Sequence, residues 1–122
     1  MSYFTDDELK CKSTGVLKLA PGFLNRLNEL REAWGRPMIV NSCCRSAEYN
    51  RQVDGKPDSW HIYDHSDRDG TCAIDIKMID SEKRGLLVSL AWEKGWTVGV
   101  AKTFLHLDRR VDFGRRQVMF LY

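Results

Sequence analysis

No two cysteines are spaced as C-x-x-C, so the thiolate pattern of a zinc ribbon is absent. No stretch approaches the ~20 consecutive apolar residues that cross a bilayer, which excludes a membrane-spanning helix. There is no excess of one charge: 19 basic and 17 acidic residues leave a net +2, so bulk electrostatics give no argument for nucleic acid as a partner. The first residues carry neither a basic start nor an apolar run, so no signal peptide is expected and synthesis is placed in the cytoplasm. Prolines number three and histidines three, which makes each of them informative.

What is present suits one folded unit. At 122 residues, 43% hydrophobic and 30% charged, the chain is expected to form a single domain with a core that needs no staple. Cys11, Cys43, Cys44 and Cys72 are expected to be reduced and mostly buried. Arg109, Arg110, Arg115 and Arg116 bias the C-terminal end toward positive charge, either as a solvated surface or as an attraction to an anionic polymer.

Thr5 and Glu8 form a capping-box pattern, which predicts a short helix from about residue 5. Pro21 suits the first turn of a second helix, in which Phe23, Leu24, Leu27, Leu30, Arg31 and Trp34 recur at helical spacing until Gly35 and Pro37. Met38 to Asn41 is predicted as a buried strand, and Ser46 as the cap of a helix reaching Val53. A polar loop from Asp54 to Gly70 follows, long enough to suggest a functional segment. Ala73 to Met78 alternates, with Ile74, Ile76 and Met78 on one face and Asp75 and Lys77 on the other. Ser81 is predicted to cap a helix with Leu86, Leu87, Leu90 and Ala91 as its apolar positions. Strands at Trp96–Val100, Phe104–Asp108 and Gln117–Leu121 complete an α+β fold with a small antiparallel sheet.

The three histidines are His61 and His65 in the long loop and His106 in a strand, where alternation puts Phe104, His106 and Asp108 on the face opposite Leu105 and Leu107. Asp75 is the polar member of an apolar strand, and a carboxylate buried there must be paired, hydrogen-bonded or metal-bound. Two imidazoles and a carboxylate are a donor set that catalytic zinc uses, with a fourth position left for water. By spacing alone the case is weak, since a lone strand aspartate is more often a surface residue or turn anchor and a lone histidine more often structural.

A sequence of motifs, in order, goes further: Tyr3-Phe4-Thr5 with Glu8-Leu9 and Cys11, Gly35-Arg36-Pro37, Ile39-Val40-Asn41-Ser42, Arg45-Ser46 and Asn50, Ser59-Trp60-His61, Ala73-Ile74-Asp75-Ile76, and Phe104-Leu105-His106-Leu107-Asp108 with Arg110. Over nearly its whole length the chain resembles the zinc D-Ala-D-Ala carboxypeptidases, and within them the short phage L-alanyl-D-glutamate endopeptidases, which share the Hedgehog/DD-peptidase fold. The resemblance implies zinc held by His61, Asp75 and His106, and a substrate carboxylate held by Arg45 and Ser59. It implies a peptidoglycan peptidase of the endolysin or virion-associated lysin kind, acting as a monomer on the cell wall, with no nucleic-acid partner and no membrane insertion.

The chain departs from that pattern in three places. His61 and Asp75 are fourteen positions apart, and Asp64 to Gly70 has the character of an insertion that brings in His65 as a competing ligand. Thr103 and Phe104 stand where an acid or histidine often precedes the last ligand. Asp108 is therefore a candidate catalytic base or, alternatively, a residue that orients an imidazole, with Asp64, Asp67, Asp69 and His65 as other bases. Asp54-Gly55 replaces a Gly-Gly turn. D-Ala-D-Ala cleavage, a zinc-containing module that binds without hydrolysis, and nucleic-acid binding through the C-terminal arginines are the competing functions.

Overall fold

A computed structural model describes residues 3–122; the first two residues of the segment scanned for an export signal lie outside it. The elements are α1 (Asp6–Leu9), α2 (Phe23–Trp34), β1 (Val40–Ser42), α3 (Ala47–Gln52), β2 (Ala73–Lys77), α4 (Ser81–Glu93), β3 (Thr97–Val100), β4 (Phe104–Asp108), a 3₁₀ turn (Arg110–Phe113) and β5 (Met119–Leu121). Five strands form one sheet in the order β1-β2-β4-β3-β5, packed with helices, so the α+β class holds.

Local chemistry explains most of the helix ends. Thr5 accepts from the Glu8 N–H while the Glu8 carboxylate accepts from the Thr5 N–H, which completes the capping box of α1. Ser46 caps α3 by accepting from the Tyr49 N–H. Two expectations need correction. Pro21 lies outside α2: Gly22, at a φ of 81°, is the N-cap, a left-handed position that favours glycine. The cap of α4 is Asp80, whose carboxylate accepts from the Lys83 N–H, and Ser81 is the first helical residue.

Phe23, Leu27 and Leu30 of α2 and Leu87 and Ala91 of α4 join Ile74, Ile76, Val98, Leu105 and Leu107 in the core. Each fully buried aliphatic or aromatic side chain there contributes roughly 1.5–3 kcal/mol. Leu86, expected among the apolar positions of α4, is half exposed. The first strand is displaced toward Ser42 relative to the expected Met38–Asn41, because Ile39 is exposed at the sheet edge.

The last strand brings the main topological surprise. β1, β2, β4 and β3 pair antiparallel, whereas β5 pairs with β3 in parallel. The turn at Arg110–Phe113 and the segment after it carry the chain back along the sheet before it enters β5. The register then lines up Ser42, Asp75, His106, Gly99 and Phe120 across all five strands. Among the described residues, no helix is long and apolar enough to cross a membrane.

Candidate metal centre

The centre is built on the middle of that row. Asp75 on β2 and His106 on β4 are direct partners in the ladder, so their side chains rise side by side from one face. His61 reaches the same point from the loop, which is tied to the start of α3 by a bridge between Arg45 and Ile62. All three side chains are buried. His61 Nε2 and His106 Nδ1 each lie 3.1 Å from Asp75 Oδ1, and the two rings meet edge-on at 5.3 Å. Among the described residues, these three bring one ligand atom each within 4.8 Å of one another.

The remaining ring nitrogens settle the tautomers. His61 Nδ1 lies 2.7 Å from the Cys43 carbonyl, which can only accept, so this nitrogen carries a proton. His106 Nε2 donates in the same way to Asp108 Oδ2 at 2.7 Å. In the neutral rings, His61 Nε2 and His106 Nδ1 are therefore lone pairs aimed at a carboxylate oxygen. Three acceptors facing one another in a buried corner repel unless a cation or a proton lies between them. The donor set fits a divalent ion.

The titration behaviour follows from these contacts. Burial lowers the pKa of His61, against the pull of Asp75. Burial also opposes charge on His106, but its hydrogen bonds to Asp108 and Asp75 outweigh this and raise its pKa. Asp75 is lowered despite burial, because the charge of a protonated His61 and the hydrogen bonds that either ring donates once protonated favour the carboxylate. A proton on His106 Nδ1 is the alternative to a cation as the answer to the charge of Asp75.

Around the three residues is a graded set of supports. Arg45 donates from Nη2 to Asp75 Oδ2 at 3.3 Å, from Nε to Ser42 and from Nη1 to Asn50. Buried Asn50 also donates to the Lys56 carbonyl, and a Cβ on Gly55 would collide with its amide, so the Asp54-Gly55 turn requires that glycine. Ser59 Oγ accepts from the His61 N–H at 3.1 Å. Asp108 is fully buried and accepts from His106 and from the N–H, Nε and Nη2 of Arg110.

A cavity of about 920 Å³ opens over the centre. His61, Asp75, His106, Arg45 and Ser59 line it together with Trp60, Phe104, Arg110, Phe120 and Tyr122. Asp64, His65, Asp67, Asp69 and Asp108 do not. His65 turns instead to Asp58, 2.6 Å away, and Arg68 lies 3.8 Å over the Trp60 ring while donating to the Asp58 and Ser59 carbonyls. His65 and Arg68 of the segment from Asp64 to Gly70 thus brace the His61 loop from outside the cavity. The C-terminal arginines are likewise not one patch: Arg109 is buried against Asp112 and the Lys94 carbonyl, and Arg110 is committed to Asp108. All four cysteines are free and buried.

Sequence reasoning missed Gly99, Phe120 and Tyr122. Phe120 packs on His106 at 5.6 Å, and a Cβ on Gly99 would stand 2.5 Å from the Phe120 ring. Only the parallel pairing of β5 makes these residues neighbours, and local periodicity carries no signal for it.

No curated protein matches the chain. A sequence model of the family described as Peptidase M15 matches residues 2–108, a span that runs from the first helix through the last of the three convergent side chains. On that match the chain belongs to the peptidase M15 family.

Proposed function

We propose that the protein is a zinc peptidase that cuts the stem peptides of peptidoglycan, with the metal held by His61, Asp75 and His106. One observation carries this reading: two lone pairs and a carboxylate oxygen converge in a buried corner at the floor of an open cavity. Family membership supplies the peptidase chemistry. When bound, the ion supplies a Lewis acid for the scissile carbonyl and lowers the pKa of a water to about 7.

The chain's own residues supply the rest. Arg45 spends three N–H groups on Ser42, Asn50 and Asp75 and keeps one on each terminal nitrogen, a pair suited to a substrate carboxylate. Ser59 accepts from the His61 N–H and retains its own proton to donate. To Asp108 we assign the orientation of His106 rather than proton transfer, since its oxygens are taken by His106 and Arg110.

Among peptidoglycan bonds, the reading favours the internal L-alanyl-D-glutamate linkage over terminal D-Ala-D-Ala. A second cleft of about 300 Å³, lined by Lys12 and Tyr49, shares Arg45 and Asp75 with the main cavity. Two clefts meeting at Arg45 and Asp75 suit an extended peptide better than a terminal dipeptide. The resemblance to short phage enzymes makes an endolysin or virion lysin the corresponding setting. A zinc-containing module without hydrolysis is the second reading, favoured by the position of Thr103 and Phe104 where an acid often stands.

Digestion of purified peptidoglycan with and without a chelator, read by mass spectrometry, tests this. Chelator-sensitive fragments ending at L-Ala are expected. Loss of a terminal D-Ala would shift the assignment to a carboxypeptidase, and zinc binding without any fragment would leave the binding module.

A further inference from the structure

Tyr122 lies outside the span matched by the family model, yet it lines the same cavity as the three convergent side chains. Its backbone is fixed, because its N–H donates to the Val100 carbonyl at 3.0 Å and continues the β5–β3 ladder. From that outer strand its ring reaches across β3 toward the middle of the sheet. The crossing is possible because β3 has no side chain at that point: a Cβ on Gly99 would lie 3.0 Å from Tyr122 Cε2 and 2.5 Å from the Phe120 ring. The Tyr122 ring then rests on Phe104 of β4 at 4.9 Å and on Phe120 at 5.5 Å, and Phe120 rests on His106. Two aromatic rings, Phe104 and Phe120, therefore hold the phenol ring over the strand that carries His106.

The electrostatics agree with the position. Tyr122 is 66% exposed at the cavity rim; partial desolvation of its hydroxyl raises the phenol's pKa, the negative charge of Asp75 adds to the effect, and Arg45 opposes it. The hydroxyl is thus a proton holder at neutral pH that lies within the field of the centre. Of the two arginines that line the cavity, Arg110 is committed to Asp108, and Arg45 has its two remaining N–H groups assigned to the substrate carboxylate.

We infer that Tyr122 is a catalytic residue: its phenol O–H donates a hydrogen bond to the carbonyl oxygen of the scissile peptide as negative charge develops there. The proton stays on the phenol throughout; the contribution is a dipole already aimed at the oxyanion, which needs no reorganisation during the reaction. This rests on the peptidase reading above and adds a group that the family match does not contain.

The test is Tyr122→Phe, which removes the hydroxyl and keeps the ring packed on Phe104 and Phe120. With a stem peptide containing the L-Ala-D-Glu bond, kcat is expected to fall at least tenfold, with KM and zinc content within about twofold of wild type. An unchanged kcat, or a change confined to KM, overturns the inference. Affinity for a phosphinate pseudopeptide of the same sequence, measured by calorimetry, gives a second readout that needs no turnover. A loss of tenfold or more is expected in Tyr122→Phe, and equal affinity overturns the inference even if the wild-type protein hydrolyses nothing. Absence of hydrolysis by the wild type alone counts against the peptidase reading.

Discussion

His106 Nε2 and Asp108 Oδ2 are 2.7 Å apart, two positions apart on the same face of one strand. The spacing of β-strand side chains makes that pair nearly automatic once both residues are present. It leaves His106 Nδ1 free to face Asp75. Arg110, with its Nε and Nη2 on the same carboxylate, keeps Asp108 ionised and immobile. Replacing Asp108 by Asn removes the charge that holds the His106 tautomer. Zinc affinity, measured by competition with a chelator, is expected to weaken 10- to 100-fold. An unchanged dissociation constant would deny Asp108 this role.

The same contact has a pH signature in the metal-free protein. Burial pushes the Asp108 carboxyl up, but hydrogen bonds from His106 and Arg110 outweigh it and leave its pKa lowered. A carboxyl depressed on folding contributes its stabilisation fully above its unfolded value of about 3.9 and loses it as pH falls through the folded value. Urea unfolding of wild type and Asp108→Asn is therefore expected to show a stability gap near pH 5 that narrows toward about pH 3. A gap that stays constant over that range would contradict the assignment.

Gly99→Ala is expected to destabilise the protein by about 1–3 kcal/mol, since the added methyl forces Phe120 and Tyr122 away from His106 and Phe104. A thermal melt lowered by several degrees checks this. No change in melting would mean the rings have room to spare.

His65→Ala is expected to leave zinc affinity within about twofold of wild type, because His65 is bonded to Asp58 and stands outside the convergent group. A large loss measured by the same chelator competition would restore His65 as a ligand.

The parts of this site that were legible in the sequence are those written in local pattern or in ordered motifs. Asp75 and His106 sit on strands whose alternation is plain, and His61 follows Ser59-Trp60 in a recognisable run. The Thr5–Glu8 capping box and the Gly35 helix stop are local as well, and they hold. The start of α2 was misplaced because a proline next to a glycine can lie before the cap as readily as after it. The start of α4 was misplaced because Asp80 and Ser81 are both good caps and adjacent. The parallel entry of β5 was invisible for a deeper reason. Strand direction depends on where the intervening turn sends the chain, and the partners Gly99 and Phe120 are distant in sequence. The burial of Arg109 and the pairing of Arg110 are hidden for the same cause, since their carboxylate partners are set by the fold.

The most direct measurement is an anomalous difference map at the zinc edge from crystals grown with the metal. The expected result is one peak at roughly 2.0–2.2 Å from His61 Nε2, His106 Nδ1 and a carboxylate oxygen of Asp75. The contradicting result is no peak there, or a peak coordinated instead by His65 and Asp58.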